Sequence, residues 1–251
     1  MFDQSFDLIP KNTKTLWRSL RSGAYAAINC TLAPWKLVLV HSARPTGETM
    51  IGMERLDNIE FCITSALRNG VPGDVIETGV WRGGATILMK AVLDVYGATD
   101  RNVWVADSFQ GLPKPDPDKY PADKGDTFWV RSLEVSDDEV RANFLRYGLL
   151  DERVKFLVGF FSKTMPVAPI DKLAVLRLDG DMYESTIVVL EHLYPKLSPG
   201  GYVIIDDYGG VPGCQQATED YRARHGITEP IQRIDWTGVF WKKEGEGTRH
   251  G

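Results

Sequence analysis

Two apolar stretches that each end in acidic residues decide the fold. Residues 173–181 read LAVLRLDGD, and residues 202–207 read YVIIDD. Short runs of aliphatic and β-branched residues are typical of strands buried on both faces of a parallel sheet. Apolar residues at helical spacing over 183–197, followed by SPGG at 198–201, predict a helix between the two strands. The segment is therefore predicted to be a strand–helix–strand unit.

The two acidic clusters are expected to meet at one edge of this sheet. A crossover connection makes both strands run in the same direction. Asp179, Asp206 and Asp207 then converge at the carboxyl ends of the strands, where open α/β sheets bind ligands. Three carboxylates at one place repel one another unless a cation lies between them, and Mg²⁺ prefers oxygen ligands. We predict a magnesium site here, although a single acid such as Asp181 or Asp207 could instead cap a helix or face water.

Length and composition limit the class of protein. A chain of 251 residues fits one large α/β domain with additions. The formal net charge of -5 argues against a nucleic-acid partner, because phosphate binding needs a basic face. The three cysteines are far apart without C-x-x-C spacing, so neither a zinc site nor a disulfide framework is predicted, and a reducing cytoplasm is expected. The first residues lack the basic segment of a signal peptide.

Three regions are expected to lie outside the central domain or over its site. Residues 1–48 are predicted to form a helical extension that packs on the core or on a second subunit, so we expect a dimer or larger homo-oligomer. Its apolar stretch is interrupted by Asn29, Pro34 and Lys36, which argues against a membrane span. The proline-rich and charged loop 110–133 is predicted to be a mobile cover over a site. The polar tail 244–251 is predicted to be disordered.

A glycine-bearing turn follows the first predicted strand. Residues 74–84 read DVIETGVWRGG, and they predict a strand ending at Glu77 and a helix beginning near Gly84. Glycine permits close approach of a ligand to the backbone, and a helix N-terminus favours negative charge. The glycine spacing differs from that of dinucleotide-binding enzymes and of P-loops. A second predicted strand ends at Asp107, a position at which a ribose is commonly bound. A third predicted strand leads to GFFS at 159–162, whose aromatic and hydroxyl side chains could bind a stacked base or could simply belong to the core.

Four motifs together closely resemble the macrocin-type O-methyltransferases. They are ETGVWRGG at 77–84, ADSFQG at 106–111, RLDGD at 177–181 and IIDDY at 204–208. Members of this family use S-adenosylmethionine and magnesium to methylate sugar hydroxyls on bacterial natural products. The similarity extends from about Thr49 to Trp241. The resemblance therefore implies an S-adenosylmethionine- and Mg²⁺-dependent O-methyltransferase of antibiotic biosynthesis, with a small glycosylated molecule as its acceptor.

The resemblance also implies the fold and the site. The fold would be an α/β, class I (Rossmann-like) methyltransferase domain over residues 49–243. Its mostly parallel sheet would have seven strands in the order 3-2-1-4-5-7-6, with the last strand antiparallel and helices on both faces. The residues implied to contact the cofactor are Met50, Ile51 and Arg55 at the entrance; Glu77, Gly79 and Gly83 around the methionine; Asp107, Ser108 and Phe109 around the ribose; Gly159, Phe160 and Ser162 by the adenine; and Asp179.

The reaction needs a base for the acceptor hydroxyl, because a sugar hydroxyl is a poor nucleophile at neutral pH. Asp181, two residues beyond the predicted metal ligand Asp179, is our first candidate for this general base. His192 and His225 are rival candidates, but both lie in predicted helices, where a surface or packed histidine is the simpler interpretation.

Other activities fit parts of the pattern. A phenolic acceptor is an alternative to a sugar, because vicinal phenols chelate Mg²⁺ equally well. Haloacid-dehalogenase-type phosphatases also combine an Asp-x-Asp pair with a later Asp-Asp, but their first pair lies on the leading strand. A dinucleotide oxidoreductase is disfavoured by the glycine spacing. A non-catalytic protein that kept the fold is a third class, and the complete set of acids argues against it.

Overall fold

The computed structural model describes residues 47–125 and 133–245 of the chain. The predicted helical extension up to residue 46, the centre of the loop 110–133 and the end of the tail lie outside the described residues. The chain divides into two units, Met1–Gly47 and Glu48–Gly251. The second unit contains all the elements that follow.

Helices and strands alternate along the second unit. The helices are α1 (Met53–Arg68), α2 (Gly84–Val95), α3 (Asp137–Arg146), α4 (Phe161–Thr164), α5 (Tyr183–Leu193) and α6 (Pro212–Arg224). The strands are β1 (Asp74–Thr78), β2 (Val103–Asp107), β3 (Val154–Val158), β4 (Leu173–Leu178), β5 (Leu197–Ile205), β6 (Gln232–Arg233) and β7 (Val239–Lys242). Short 3₁₀ turns occupy Pro121–Asp123, Met165–Val167 and Tyr194–Lys196.

The strands form one seven-stranded sheet in the order β3-β2-β1-β4-β5-β7-β6. Strands β1 to β5 pair in parallel. Strand β7 runs antiparallel to both β5 and β6. This arrangement confirms the α/β class and the strand order that the family resemblance implies.

The central strand β4 is buried along its whole length, as its apolar sequence predicts. Alternate residues of the sheet enter different hydrophobic clusters because side chains in a strand point to opposite faces. Leu176 packs in the cluster that contains apolar residues of α5 and α6. Val175 packs in the cluster that contains apolar residues of α1 and α2. The sheet is therefore covered on both faces, which leaves the strand ends as the place for a ligand.

The boundary between α5 and β5 differs from the sequence prediction. The helix ends at Leu193, before the predicted end at residue 197, and a 3₁₀ turn containing Pro195 follows. Proline lacks the N–H that would continue an α-helix. The sequence SPGG at 198–201 belongs to strand β5 and does not precede it. There Gly201 lies so close to β4 that a Cβ would be 2.7 Å from the carbonyl oxygen of Ala174.

Among the residues that the structure describes, no helix is long and apolar enough to cross a membrane.

Candidate active site

A cavity of about 420 Å³ lies at the carboxyl edge of the sheet. The residues that follow β1, β2, β4 and β5 form its walls, as the topology of an open α/β sheet leads one to expect. Predicted site residues that line the cavity are Met50, Ile51, Arg55, Gly79, Asp107, Ser108, Phe160, Ser162, Asp179, Asp181, Asp206 and Asp207. Lining residues that the sequence pattern does not single out include Trp81, Leu112, Glu184, Ser185 and Trp236.

Three carboxylates meet on one wall of this cavity. Asp179 follows β4, and Asp206 and Asp207 follow β5. The two strands are parallel neighbours in which Leu178 lies opposite Ile205. The backbone N–H of Asp206 donates to the carbonyl of Leu178 at 2.9 Å, which extends the pairing beyond the strands. One oxygen of each carboxylate lies within 4.8 Å of the others.

Burial and neighbouring negative charges oppose the ionisation of Asp206 and Asp207. Burial raises the pKa of Asp206 to about 6, with Arg177 acting in the opposite direction and Asp179 adding to the rise. Burial also raises the pKa of Asp207 well above its ordinary value, and the charges of Asp179, Asp181 and Asp206 reinforce this effect. A cluster of hard oxygen donors with excess negative charge suits a divalent cation such as Mg²⁺. The donor set therefore fits the predicted magnesium ion.

Two arginines form ion pairs with the acidic cluster, Arg177 from the buried sheet and Arg55 from the cavity wall. The fully buried side chain of Arg177 contacts Glu77 and Asp206, and it donates to Asp179 at 2.8 Å. Arg55 contacts the second oxygen of Asp206 and donates to Asp235 at 2.7 Å. Asp206 is thereby clamped between two guanidinium groups, which fixes the direction in which its oxygens face the cavity.

The position of Arg177 in the sequence is itself a signal that buried acidic partners lie nearby. A charged side chain in the middle of an apolar, fully buried strand is rarely tolerated unless it is paired. That pattern is visible in LAVLRL, but the partners are not, because Glu77 lies 100 residues away. Glu77 lies behind the cavity wall, where it contacts Arg177 and the hydroxyl of Thr86. Burial raises the pKa of Glu77 to about 7, although Arg177 lowers it.

The turn after β1 brings the backbone against the acidic cluster. Gly79 has φ +89°, and a Cβ at this position would collide with the carbonyl oxygen of Asp179. Asp107 at the end of β2 accepts from the backbone N–H groups of Val80 and Phe109, each at 2.8 Å. These bonds hold the Asp107 carboxylate at the wall of the cavity, directly beside the glycine turn.

Four predicted cofactor residues are not among those that line the cavity. Besides Glu77, these are Gly83, Phe109 and Gly159. Gly83 is the N-cap of α2 with φ +85°, Phe109 is buried against Phe156, and the N–H of Gly159 donates to the carbonyl of Asp107. These residues lie near the strand ends and contribute to the local backbone structure without lining the cavity.

Asp181 lies in the turn between β4 and α5 and lines the cavity. Its φ of +57° is uncommon for a residue other than glycine. Its backbone N–H donates to a carboxylate oxygen of Asp207 at 3.3 Å, which ties the turn to the acidic cluster. The rival bases His192 and His225 are not among the lining residues. His192 lies in α5, and the ring of His225 packs at 4.3 Å from that of Tyr221.

A protein family described as macrocin-O-methyltransferase (TylF) matches residues 38–243 of the chain. This chain belongs to the TylF family. Membership makes it an S-adenosylmethionine-dependent O-methyltransferase, which confirms the class predicted from the four motifs and sets aside the phosphatase and oxidoreductase alternatives.

Three curated relatives of this TylF-family chain are each 53% identical to it over about four fifths of its length. Mycinamicin III 3''-O-methyltransferase of Micromonospora griseorubida is 53% identical over 215 residues, which cover 81% of this chain and 84% of that protein. The 8-demethyl-8-(2,3-dimethoxy-alpha-L-rhamnosyl)-tetracenomycin-C 4'-O-methyltransferase of Streptomyces olivaceus is 53% identical over 203 residues, covering 80% and 77% of the two chains. Demethyldecarbamoylnovobiocin O-methyltransferase of Streptomyces niveus is 53% identical over 197 residues, covering 78% and 75%.

Solved structures agree with the fold of the family member described here. The O-methyltransferase NovP is 52% identical, with a TM-score of 0.79 over 80% of this chain and 84% of that chain. The calicheamicin methyltransferase CalS11 is 18% identical, with a TM-score of 0.60 over 93% and 94%, and it supports the fold alone.

Proposed function

We propose that this protein transfers a methyl group from S-adenosylmethionine to a sugar hydroxyl of a glycosylated natural product, with a divalent cation held by Asp179, Asp206 and Asp207. The observation that carries the proposal is the convergence of these three carboxylates within 4.8 Å on the wall of the cavity that Asp107 also lines. The names of the curated relatives support the acceptor class, because a rhamnosyl tetracenomycin, mycinamicin III and a novobiocin precursor are glycosylated molecules or their derivatives.

The cofactor would occupy the side of the cavity formed by β1 and β2. Asp107 offers a carboxylate to the two ribose hydroxyls, and Ser108, Phe160 and Ser162 line the same side. Gly79 lets the turn after β1 pack directly against the Asp179 backbone, where any side chain would collide, and the methionine part of the cofactor would lie beside this turn. Met50 and Ile51 would close the entrance. Arg55 faces Asp206 and Asp235, so its contribution is to orient the acidic cluster.

The cation would supply positive charge that lowers the pKa of the bound acceptor hydroxyl. Around it, Arg177 and Arg55 keep Asp206 oriented toward the cavity. The acceptor oxygen then attacks the methyl carbon, a C–O bond forms, and the C–S bond breaks with its electrons returning to sulfur. Asp181 accepts the proton of the hydroxyl, since its turn is fixed against Asp207 on the cavity wall. Binding the cofactor and the acceptor in one cavity makes methyl transfer effectively unimolecular, because the two reactants no longer have to meet and orient in solution.

A panel of acceptors tests the proposal. The purified protein is incubated with S-adenosylmethionine, Mg²⁺ and either mycinamicin III, demethyldecarbamoylnovobiocin or catechol, and products are identified by mass spectrometry. We expect a gain of one methyl group on at least one glycoside, at a sugar hydroxyl. Methylation of catechol without methylation of any glycoside would contradict the sugar acceptor and favour the phenolic one.

A further inference from the structure

One rim of the cavity carries an exposed tryptophan. The indole of Trp236 is 60% exposed, although it lines the cavity together with Asp206, Asp207 and Gly210. Trp236 precedes β7, which pairs with β5, whereas Asp107 ends β2 on the other side of the central strands, so this rim lies on the carboxylate side of the cavity. An acceptor hydroxyl that reaches the carboxylates leaves the remainder of the acceptor at this rim.

The turn that carries Trp236 is held firmly in place. The carboxylate of Asp235 accepts from the N–H of Thr237 at 2.9 Å and from the N–H of Gly238 at 2.6 Å. The same carboxylate accepts from Arg55, and the hydroxyl of Thr237 donates to the carbonyl of Asp206 at 3.0 Å. The position of the indole is thereby coupled directly to the proposed metal ligand Asp206.

Two glycines provide the space in which this turn packs. The N–H of Gly209 donates to the carbonyl of Thr237 at 2.8 Å, and a Cβ on Gly209 would lie 2.5 Å from the carbonyl oxygen of Trp236. A Cβ on Gly210 would lie 3.6 Å from the indole, so the ring lies over this residue. The N–H of Gly210 donates to the carbonyl of Asp207 at 3.0 Å. The indole therefore covers the turn that begins at the acidic cluster.

A rigid, exposed aromatic ring beside a cavity is suited to binding an apolar surface. It buries a large area on contact and loses little conformational entropy. The exposed indole of Trp236 therefore suits an apolar group of the acceptor.

We propose that Trp236 binds the apolar aglycone of the acceptor. This inference rests on the proposed function, because it takes the acceptor hydroxyl to lie at the carboxylates. It assigns specificity to a turn on the antiparallel edge of the sheet, outside the four family motifs.

Two rhamnosides that differ only in what is attached to the sugar provide the test. They are methyl α-L-rhamnoside and 4-nitrophenyl α-L-rhamnoside. Their affinities are measured by calorimetry for the full chain in the presence of Mg²⁺ and S-adenosylhomocysteine. We expect the nitrophenyl glycoside to bind about 10-fold more tightly than the methyl glycoside, a ratio typical of a well-packed aromatic contact.

Substitution of the indole should remove this preference. In Trp236→Ala the two neutral rhamnosides should bind with affinities within about 2-fold of each other, while Trp236→Phe should keep most of the difference. S-adenosylmethionine affinity and the melting temperature should match those of the wild type. Tyr96→Ala, which removes another exposed aromatic ring at the end of α2, is the matched control and should keep the full preference.

Several results would overturn the assignment. They are equal affinity, or equal lack of affinity, for the two rhamnosides, or an equal loss of affinity for both in Trp236→Ala. Failure of the proposed function is a separate result, in which the wild type prefers the nitrophenyl glycoside but methylates no glycoside of the acceptor panel.

Discussion

Replacing Asp123 with Ala should destabilise the protein and should disturb the turn between β4 and α5, which carries Asp181. Asp123 lies in the described part of the proline-rich loop, and its side chain is buried. Its two carboxylate oxygens accept from the N–H groups of Tyr183 at 2.7 Å and Glu184 at 3.0 Å. Helix α5 has no side-chain hydrogen bond from its own N-cap residue, Met182. Asp123 therefore caps the helix from a distant part of the chain.

The size of the effect follows from those two bonds. Loss of an N-cap side chain costs about 1–2 kcal/mol, and a buried carboxylate with two acceptor bonds belongs at the upper end. A loss of about 2 kcal/mol lowers the Tm of a domain of this size by roughly 4–8 °C. Because α5 begins two residues after Asp181, the proposed general base, we also expect kcat to fall by about 10-fold, since a small displacement of that carboxylate is enough. The affinity for S-adenosylmethionine should change little.

Thermal melting, urea denaturation and steady-state kinetics measure these effects. Asp123→Asn keeps the shape and one carbonyl acceptor, so about half of the loss should remain. Asp118→Ala removes an exposed acid of the same loop and serves as the control. A Tm for Asp123→Ala equal to that of the control, or a loss of cofactor affinity with normal kcat, would refute the cap.

Three further substitutions test the electrostatics of the site. Asp181→Asn should abolish turnover and leave S-adenosylmethionine binding intact, because Asn tolerates the left-handed φ of +57°; a near-normal rate would remove Asp181 as the base. Asp207→Asn removes one of several repelling carboxylates, so it should raise the Tm measured in EDTA. Millimolar Mg²⁺ is expected to raise the Tm of the wild type, and this gain should be absent in Asp207→Asn. A gain that persists in the variant would argue against Asp207 as a metal ligand. Glu77 has a raised pKa of about 7 against an ordinary value of 4.5, so the folded chain holds a proton that the unfolded chain has released, and stability falls as pH rises between these values. Relative to Glu77→Gln, the wild type should lose about 3 kcal/mol of unfolding free energy over that window in urea titrations, and parallel pH profiles would contradict the shift.

The features predictable from the sequence are those that follow from local pattern and strand direction. The apolar runs before Asp179 and Asp206 define two buried strands, and a right-handed crossover makes their ends coincide. The convergence of the acidic residues needs no further information. The same holds for Gly79 and Asp107, since each directly follows its own strand.

The remaining parts of the site depend on contacts between distant segments. Arg55 and Asp206 are 151 residues apart, and Asp123 and Tyr183 are 60 residues apart. No local periodicity connects such pairs, because their contact is decided by packing of whole elements. Trp236 belongs to the same group, since its turn is positioned by Asp235 and by the space over Gly210.

The central claim is that three carboxylates at two neighbouring strand ends bind one divalent cation. A crystal grown with Mn²⁺, S-adenosylhomocysteine and the active enzyme tests it most directly, because the anomalous signal locates the ion independently of the protein phases. We expect a single strong peak bonded to oxygens of Asp179, Asp206 and Asp207. An active enzyme whose Mn²⁺ lies elsewhere, with no peak between these carboxylates, would contradict it.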